Sequence, residues 1–177
     1  MLDSVRRIVT GHRDGKAVFV SDGDAPKLTA MAMPDSALWK VWGFDGRYAV
    51  PHDGGDPTPA NMFPASEGFR FMVITFAPDD TPLPEDLDPE AAAAEMAANV
   101  PDLGDYMEED EPGMHTTDTV DFGIVLDGEI WLELDAGAET HLSAGDVVVQ
   151  NGTRHAWRNR SDRPCTMAFT LIGADRR

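Results

Sequence analysis

From Gly113 to the C-terminus, apolar and polar side chains alternate in short runs. That is the pattern of strands with one face in a core and the other turned out. Residues 122–126, 129–134, 147–150, 155–159 and 166–172 each read as a strand. Asp127-Gly128, between the first two, is a strong short hairpin signal. Upstream the pattern is sparser. Residues 5–10 and 17–21 flank 11–16, which predicts a hairpin connection, and 38–44 and 69–77 read as aromatic-rich strands. Residues 50–66, rich in Pro, Gly, Asp and Asn, read as a loop. One stretch has a different period. Asp88-Pro-Glu90 followed by an alanine-rich run to Ala98 predicts the one clear helix. Asp88 can cap it, Pro89 suits its first position, and Glu90 matches its positive end. Met96, Val100 and Leu103 fall at helical spacing and read as a stripe packed on a sheet. Many short strands, tight turns and one helix predict an all-β barrel or sandwich.

The 177 residues suffice for one domain with a core. The expected organisation is residues 1–104 as N-terminal strands, loop and short helix, packed on a barrel formed by 105–177, in one structural domain. A formal charge of −18 argues against nucleic acid and anionic membranes as partners, since both need basic patches. The acidic run Glu108–Glu111 reads as a solvated loop. The single cysteine, Cys165, excludes an intrachain disulfide and reads as a small buried apolar residue. The first residues lack the apolar core of a signal peptide, and no run is long enough to span a bilayer, so a cytoplasmic protein is expected.

Candidate chemistry sits in two of the strand-like stretches. If residues 115–121 are extended, His115, Thr117, Thr119 and Asp121 project from one face. His155 follows a glycine turn in the second stretch, with Trp157 on its face. Two imidazoles and a carboxylate aimed into one barrel can hold a redox-active or Lewis-acid ion. The alternative for His115 and Asp121 is a buried polar pair without metal. His12, His52 and His141 read as solvated surface. Nucleotide-binding loops, a hydrolase nucleophile elbow and a His-Glu-x-x-His helix are all missing from the sequence.

These two stretches resemble the paired motifs of the cupin superfamily. In the first, His115 stands for the first histidine, Thr117 for the second, Asp121 for the usual glutamate, and Gly128 closes the motif. In the second, Gly145, Gly152, His155 and Asn159 match, while Gln150 replaces a proline one residue early. The resemblance spans roughly 113–174. The chain is also similar to small single-domain bacterial cupins of the conserved-barrel type, which begin with a segment like Arg7-Ile-Val-Thr-Gly-His12. The resemblance implies a double-stranded β-helix, a jelly-roll-like barrel, with extra N-terminal strands and one short helix. It implies a metal-dependent enzyme acting on a small organic substrate of carbonyl, enol or aromatic type, by dioxygenation, decarboxylation or isomerisation. The alternative is a non-catalytic small-molecule-binding cupin, a sensor or carrier. His115, Asp121 and His155 are the expected ligands of a divalent ion, Fe(II) first, with Mn, Ni and Zn open. Thr117, Gln150 and Trp157 are the expected substrate-facing residues. A homodimer is expected, with the N-terminal strands available to extend a neighbour's sheet.

Overall fold

The computed structural model describes residues 2–177. Eleven strands and one α-helix follow in order: β1 (Arg6–Arg13), β2 (Lys16–Asp24), β3 (Lys27–Leu28), β4 (Ala37–Phe44), β5 (Phe69–Phe76), α1 (Pro89–Asn99), β6 (Thr119–Asp127), β7 (Glu129–Glu133), β8 (Glu139–Ser143), β9 (Val147–Asn151), β10 (Ala156–Arg158) and β11 (Cys165–Gly173). The fold is all-β, as expected. Strands pair antiparallel in a six-stranded sheet of order β3-β4-β5-β11-β6-β9, a three-stranded sheet β10-β7-β8, and the separate hairpin β1-β2. The main core unites both larger sheets: Val125, Met167 and Phe169 come from the first, Ile130, Leu132 and Leu142 from the second. Their alternation with outward residues is what turns each strand's pattern into a shared interior.

Three local readings change. Asp127-Gly128 makes no hairpin, because β6 pairs with β11 and β9 whereas β7 pairs with β8 and β10. Gly128 is the corner where the chain leaves one sheet for the other. Its φ is +84°, and a Cβ there would lie 2.8 Å from the Cα of Cys165. The signal correctly marked a reversal that only glycine fits; it did not say which strand comes next. The first hairpin is tighter than expected, turning at Asp14 and Gly15, both at positive φ. Finally, β4 and β5 hydrogen-bond into the same sheet as β11 and β6, so a boundary at 104/105 crosses a continuous sheet. These N-terminal strands extend the chain's own sheet.

The Asp88 side chain caps α1, accepting from the backbone N–H of Glu90 at 2.9 Å and of Ala91 at 3.3 Å. The helix buries only Ala92 fully and is tied down at its flank, where Glu95 accepts from the N–H of Met31 and Asn99 donates to the carbonyl of Thr29. Two buried charged side chains pin the loops beside it. Asp102 accepts from the N–H groups of Met62 and Phe63, at 2.7 and 2.9 Å. Arg70, 2% exposed, donates to the carbonyls of Phe44, Asn61 and Phe69 and to Asp45. Among the described residues no helix is long and apolar enough to cross a membrane.

Candidate active site

Between the sheets and α1 lies a cavity of about 400 Å³. Its wall is overwhelmingly apolar and rich in methionine, with Met33, Met62, Met72, Met96 and Met107 among the contributors. Methionine is flexible and polarizable, so such a wall adapts to the shape of its occupant. Met96 of α1, Val100 at its C-terminal cap and Leu103 just beyond also line it, so the stripe expected to pack on the sheet faces the cavity. The sequence reading missed most of this wall. The alternation of Met72, Ile74 and Phe76 along β5 was the available signal.

Polar groups converge on the wall formed by β6, β9 and the segments before β10: His115, Asp121, Gln150 and His155. His115 and His155 are direct cross-strand partners, each donating its N–H to the other's carbonyl at 2.9 Å. Their rings lie 4.2 Å apart between centroids. The Nδ1 of His115 is 3.0 Å from the carbonyl of Gly113, and that of His155 is 2.9 Å from the carbonyl of Thr153. A carbonyl can only accept, so each Nδ1 carries the proton and donates it, leaving each Nε2 with a bare lone pair. Burial lowers the pKa of both rings. His155 falls to about 4, through burial first and the neighbouring His115 second. The pair is therefore neutral at pH 7.

Asp121 and Gln150 form the next same-face polar rung, paired across β6 and β9. Burial pushes the Asp121 carboxyl up to about 6, against a smaller opposing effect of the Thr119 hydroxyl. The Oδ1 of Asp121 and the Nε2 of Gln150 are buried with no hydrogen-bond partner. Trp157 lines the cavity, edge-on to His155 at 5.9 Å and to Phe169 at 5.4 Å.

Thr117 does not face this cavity. Its hydroxyl is spent on that of Thr119 at 2.7 Å, and both line a separate shallow hollow near Arg176. The three expected metal ligands share the cavity wall. Yet among the described residues no group of three or more His, Cys, Asp or Glu side chains comes together in a way that holds a metal ion. Asp121 lies six residues beyond His115, up to about 20 Å of extended strand, and its cross-strand partner is Gln150 rather than His155. The donors thus suit a divalent cation in kind, as two neutral imidazoles with free Nε2 atoms, but the carboxylate does not close a third corner.

Arg154, one residue before His155, donates to Glu108 through two nitrogens at 2.7 Å, to Glu111 at 2.5 Å and to Asp135 at 2.9 Å. The acidic run is therefore in part a clasp beside the histidines rather than a freely solvated loop. Asn159 is buried and donates to the carbonyls of Phe76 and Arg163, fixing a turn. Cys165 is fully buried, and burial raises its thiol to about 11, so it is inert as a nucleophile.

A family model described as "Cupin domain" matches residues 105–172. The chain is 32% identical over 145 residues to the Phomopsin biosynthesis cluster protein C' of Diaporthe leptostromiformis, covering 81% of this chain and 70% of that protein. It is 40% identical over 60 residues to the cupin-domain-containing oxidoreductase srdB of Neurospora crassa, covering 33% of this chain and 31% of that one. A Cupin 2 conserved barrel domain protein from Salinispora arenicola aligns over 60% of this chain and 64% of its own, at 21% identity and a TM-score of 0.38. The protein is an all-β barrel protein with a ligand-sized interior. The chain belongs to the cupin superfamily.

Proposed function

We propose that this cupin is an enzyme acting on a small, largely apolar organic molecule that carries a carbonyl or enol, held inside the barrel. The observation that carries the reading is the pair of neutral imidazoles, His155 buried and His115 half-buried, in contact at one polar end of an otherwise apolar cavity. The methionine wall and Trp157 bind the apolar body and exclude water, and the free Nε2 atoms of His115 and His155 face the reacting end. Relatives named as cupin-domain oxidoreductases support the enzymatic class.

His115 and His155 would hold a divalent ion, Fe(II) foremost, with Mn, Ni or Zn as alternatives. When bound, such an ion supplies Lewis-acid or redox chemistry. The locked Nδ1–H bonds to Gly113 and Thr153 hold both rings in the orientation and tautomer that ligation requires. Elemental analysis of protein purified without added metal, followed by Fe(II) titration, tests this. About one ion per chain is expected, lost in a folded His155→Ala variant together with any O2 uptake or turnover across aromatic and enolic substrates. Full metal retention by folded His155→Ala counts heavily against the assignment.

One observation favours a second reading, a non-catalytic binding cupin: the unclosed ligand set. A wild-type protein that binds no ion but takes up apolar ligands would establish it.

The partner we propose is a second copy. The outer face of β6, β9 and β11 leaves Phe122, Ile124, Leu126, Val147, Val149 and Ile172 exposed. Their bare area is on the order of 500 Å² per copy, at the upper end of what monomers keep exposed. Two such faces together supply the ~1,000 Å² that a specific pair needs.

A further inference from the structure

Asp121 and Gln150 are each more than nine-tenths buried, and both line the cavity. They are cross-strand partners, yet they do not bond to each other. The Gln150 amide is oriented by Thr153, whose hydroxyl donates to Oε1 at 2.6 Å, so Nε2 is turned away with its protons unused. On the facing strand the Asp121 Oδ1 is an unused acceptor. Buried polar atoms are normally satisfied, and two orphans of opposite kind side by side in a cavity wall make a complementary edge.

We infer that Asp121 and Gln150 recognise the polar end of the ligand, and that this end carries a donor beside an acceptor: an amide, or an enol next to a carbonyl. The ligand's N–H or O–H donates to Asp121 Oδ1, and its carbonyl oxygen accepts from Gln150 Nε2. A carboxylate is excluded, since it has no donor and would face the aspartate. A simple ketone satisfies Gln150 alone. The role that the family pattern gives to a metal-binding carboxylate passes here to the ligand, in keeping with the unclosed metal set. The inference rests on the reading that the cavity takes an apolar small molecule.

Three probes of one shape separate the possibilities: naphthalene-2-carboxamide, 2-acetonaphthone and 2-naphthoate. Binding is measured by calorimetry on the full chain, after chelator treatment and again with Fe(II) added. The amide is expected to bind about tenfold tighter than the ketone, and naphthoate weakest, with the same ranking in both preparations. Asp121→Ala is expected to bring amide and ketone level, whereas Gln150→Met weakens both. Equal binding of amide and ketone by the wild type overturns the inference and leaves the cavity reading intact. So does an amide preference that survives Asp121→Ala, or one seen only with Fe(II). Failure of all three probes to bind overturns the cavity reading itself. The wild-type comparison stands even if either variant fails to fold.

Discussion

The two faces of the six-stranded sheet are written by the same alternation and do opposite things. Along β6, Asp121, Gly123 and Val125 turn inward, and Phe122, Ile124 and Leu126 turn outward. Judged by hydropathy alone, the outer row is the more apolar one. The inner face nevertheless builds the core and cavity, because the three-stranded sheet, the pinned loops and α1 cover it. The outer face of β6 and β9 has no such cover. Near β4 and β5 the outer face is closed by a second small cluster of Ala25, Ala37, Trp39, Val73 and Ala168. What a strand face does is set by what lies over it, and that is a property of topology rather than of the strand.

The sharpest break between the faces is in stability. Phe169 is 6% exposed and packs edge-on against Trp157 and Phe76, so Phe169→Ala is expected to cost about 3–5 kcal/mol, by lost transfer energy and a residual void. Phe122 is 44% exposed, so Phe122→Ala is expected to cost less than about 1 kcal/mol in the dilute monomer. Urea denaturation of both variants measures the gap. Equal losses would mean that the outer face is already covered within the monomer.

A second contrast lies within the inner face. Asp121 has its carboxyl raised to about 6 from an ordinary 3.8, so it takes up its proton in the folded state first. Its effect on stability is most favourable below pH 3.8 and is lost as pH rises through 6. His155 is lowered to about 4 from 6.5, so its effect is fully present above pH 6.5 and is lost as pH falls through 4. Each shift corresponds to about 3 kcal/mol. His115, also lowered by burial, acts in the same direction as His155, so in the wild type the Asp121 slope opposes the histidines between pH 4 and 6.5 and offsets only part of their effect. Single substitutions unmask them. The stability of Asp121→Asn relative to wild type is expected to rise from pH 4 to 7, and that of His155→Gln to fall over the same range. Slopes of the same sign in the two variants would refute the opposed burial of the two groups.

Much of this was legible beforehand. The alternation located β4 to β7 and β9 to β11 closely, the Asp88 cap located α1, and the two glycine-turn stretches brought His115 and His155 together. What stayed hidden was long-range. Asp127-Gly128 specified a reversal, but only the pairing of β6 with β11 and β9 made it a corner between sheets. Period-2 reasoning put Thr117 on the face of His115 and Asp121. It could not show that its hydroxyl would be consumed by Thr119, or that six residues of strand would keep Asp121 beside Gln150. The methionine wall is drawn from loops, a helix and distant strands, so no local window contained it.

The smallest effect on the folded chain, and the one that tests the outer face directly, is on self-association. Each copy carries a formal charge of −18, so two copies repel at low ionic strength. Apolar contact must outweigh that repulsion, and salt screens the repulsion over about 10 Å at 0.1 M while leaving the contact largely intact. Pairing through Phe122, Val147 and Val149 therefore predicts a dimer that tightens as salt is raised from 10 to about 300 mM, opposite to an interface held by ion pairs. Val149→Lys places an unpaired charge within this patch, on the edge strand β9 across from Phe122. Left exposed, it should change monomer stability by no more than about 0.5 kcal/mol. Buried in a pair of copies, it would be desolvated without a partner, so the dimer should dissociate. Sedimentation equilibrium of wild type and variant across the salt series reads this out. A wild type that stays monomeric at high salt, or a Val149→Lys dimer as tight as the wild type, would show that this face is bare for another reason than self-pairing.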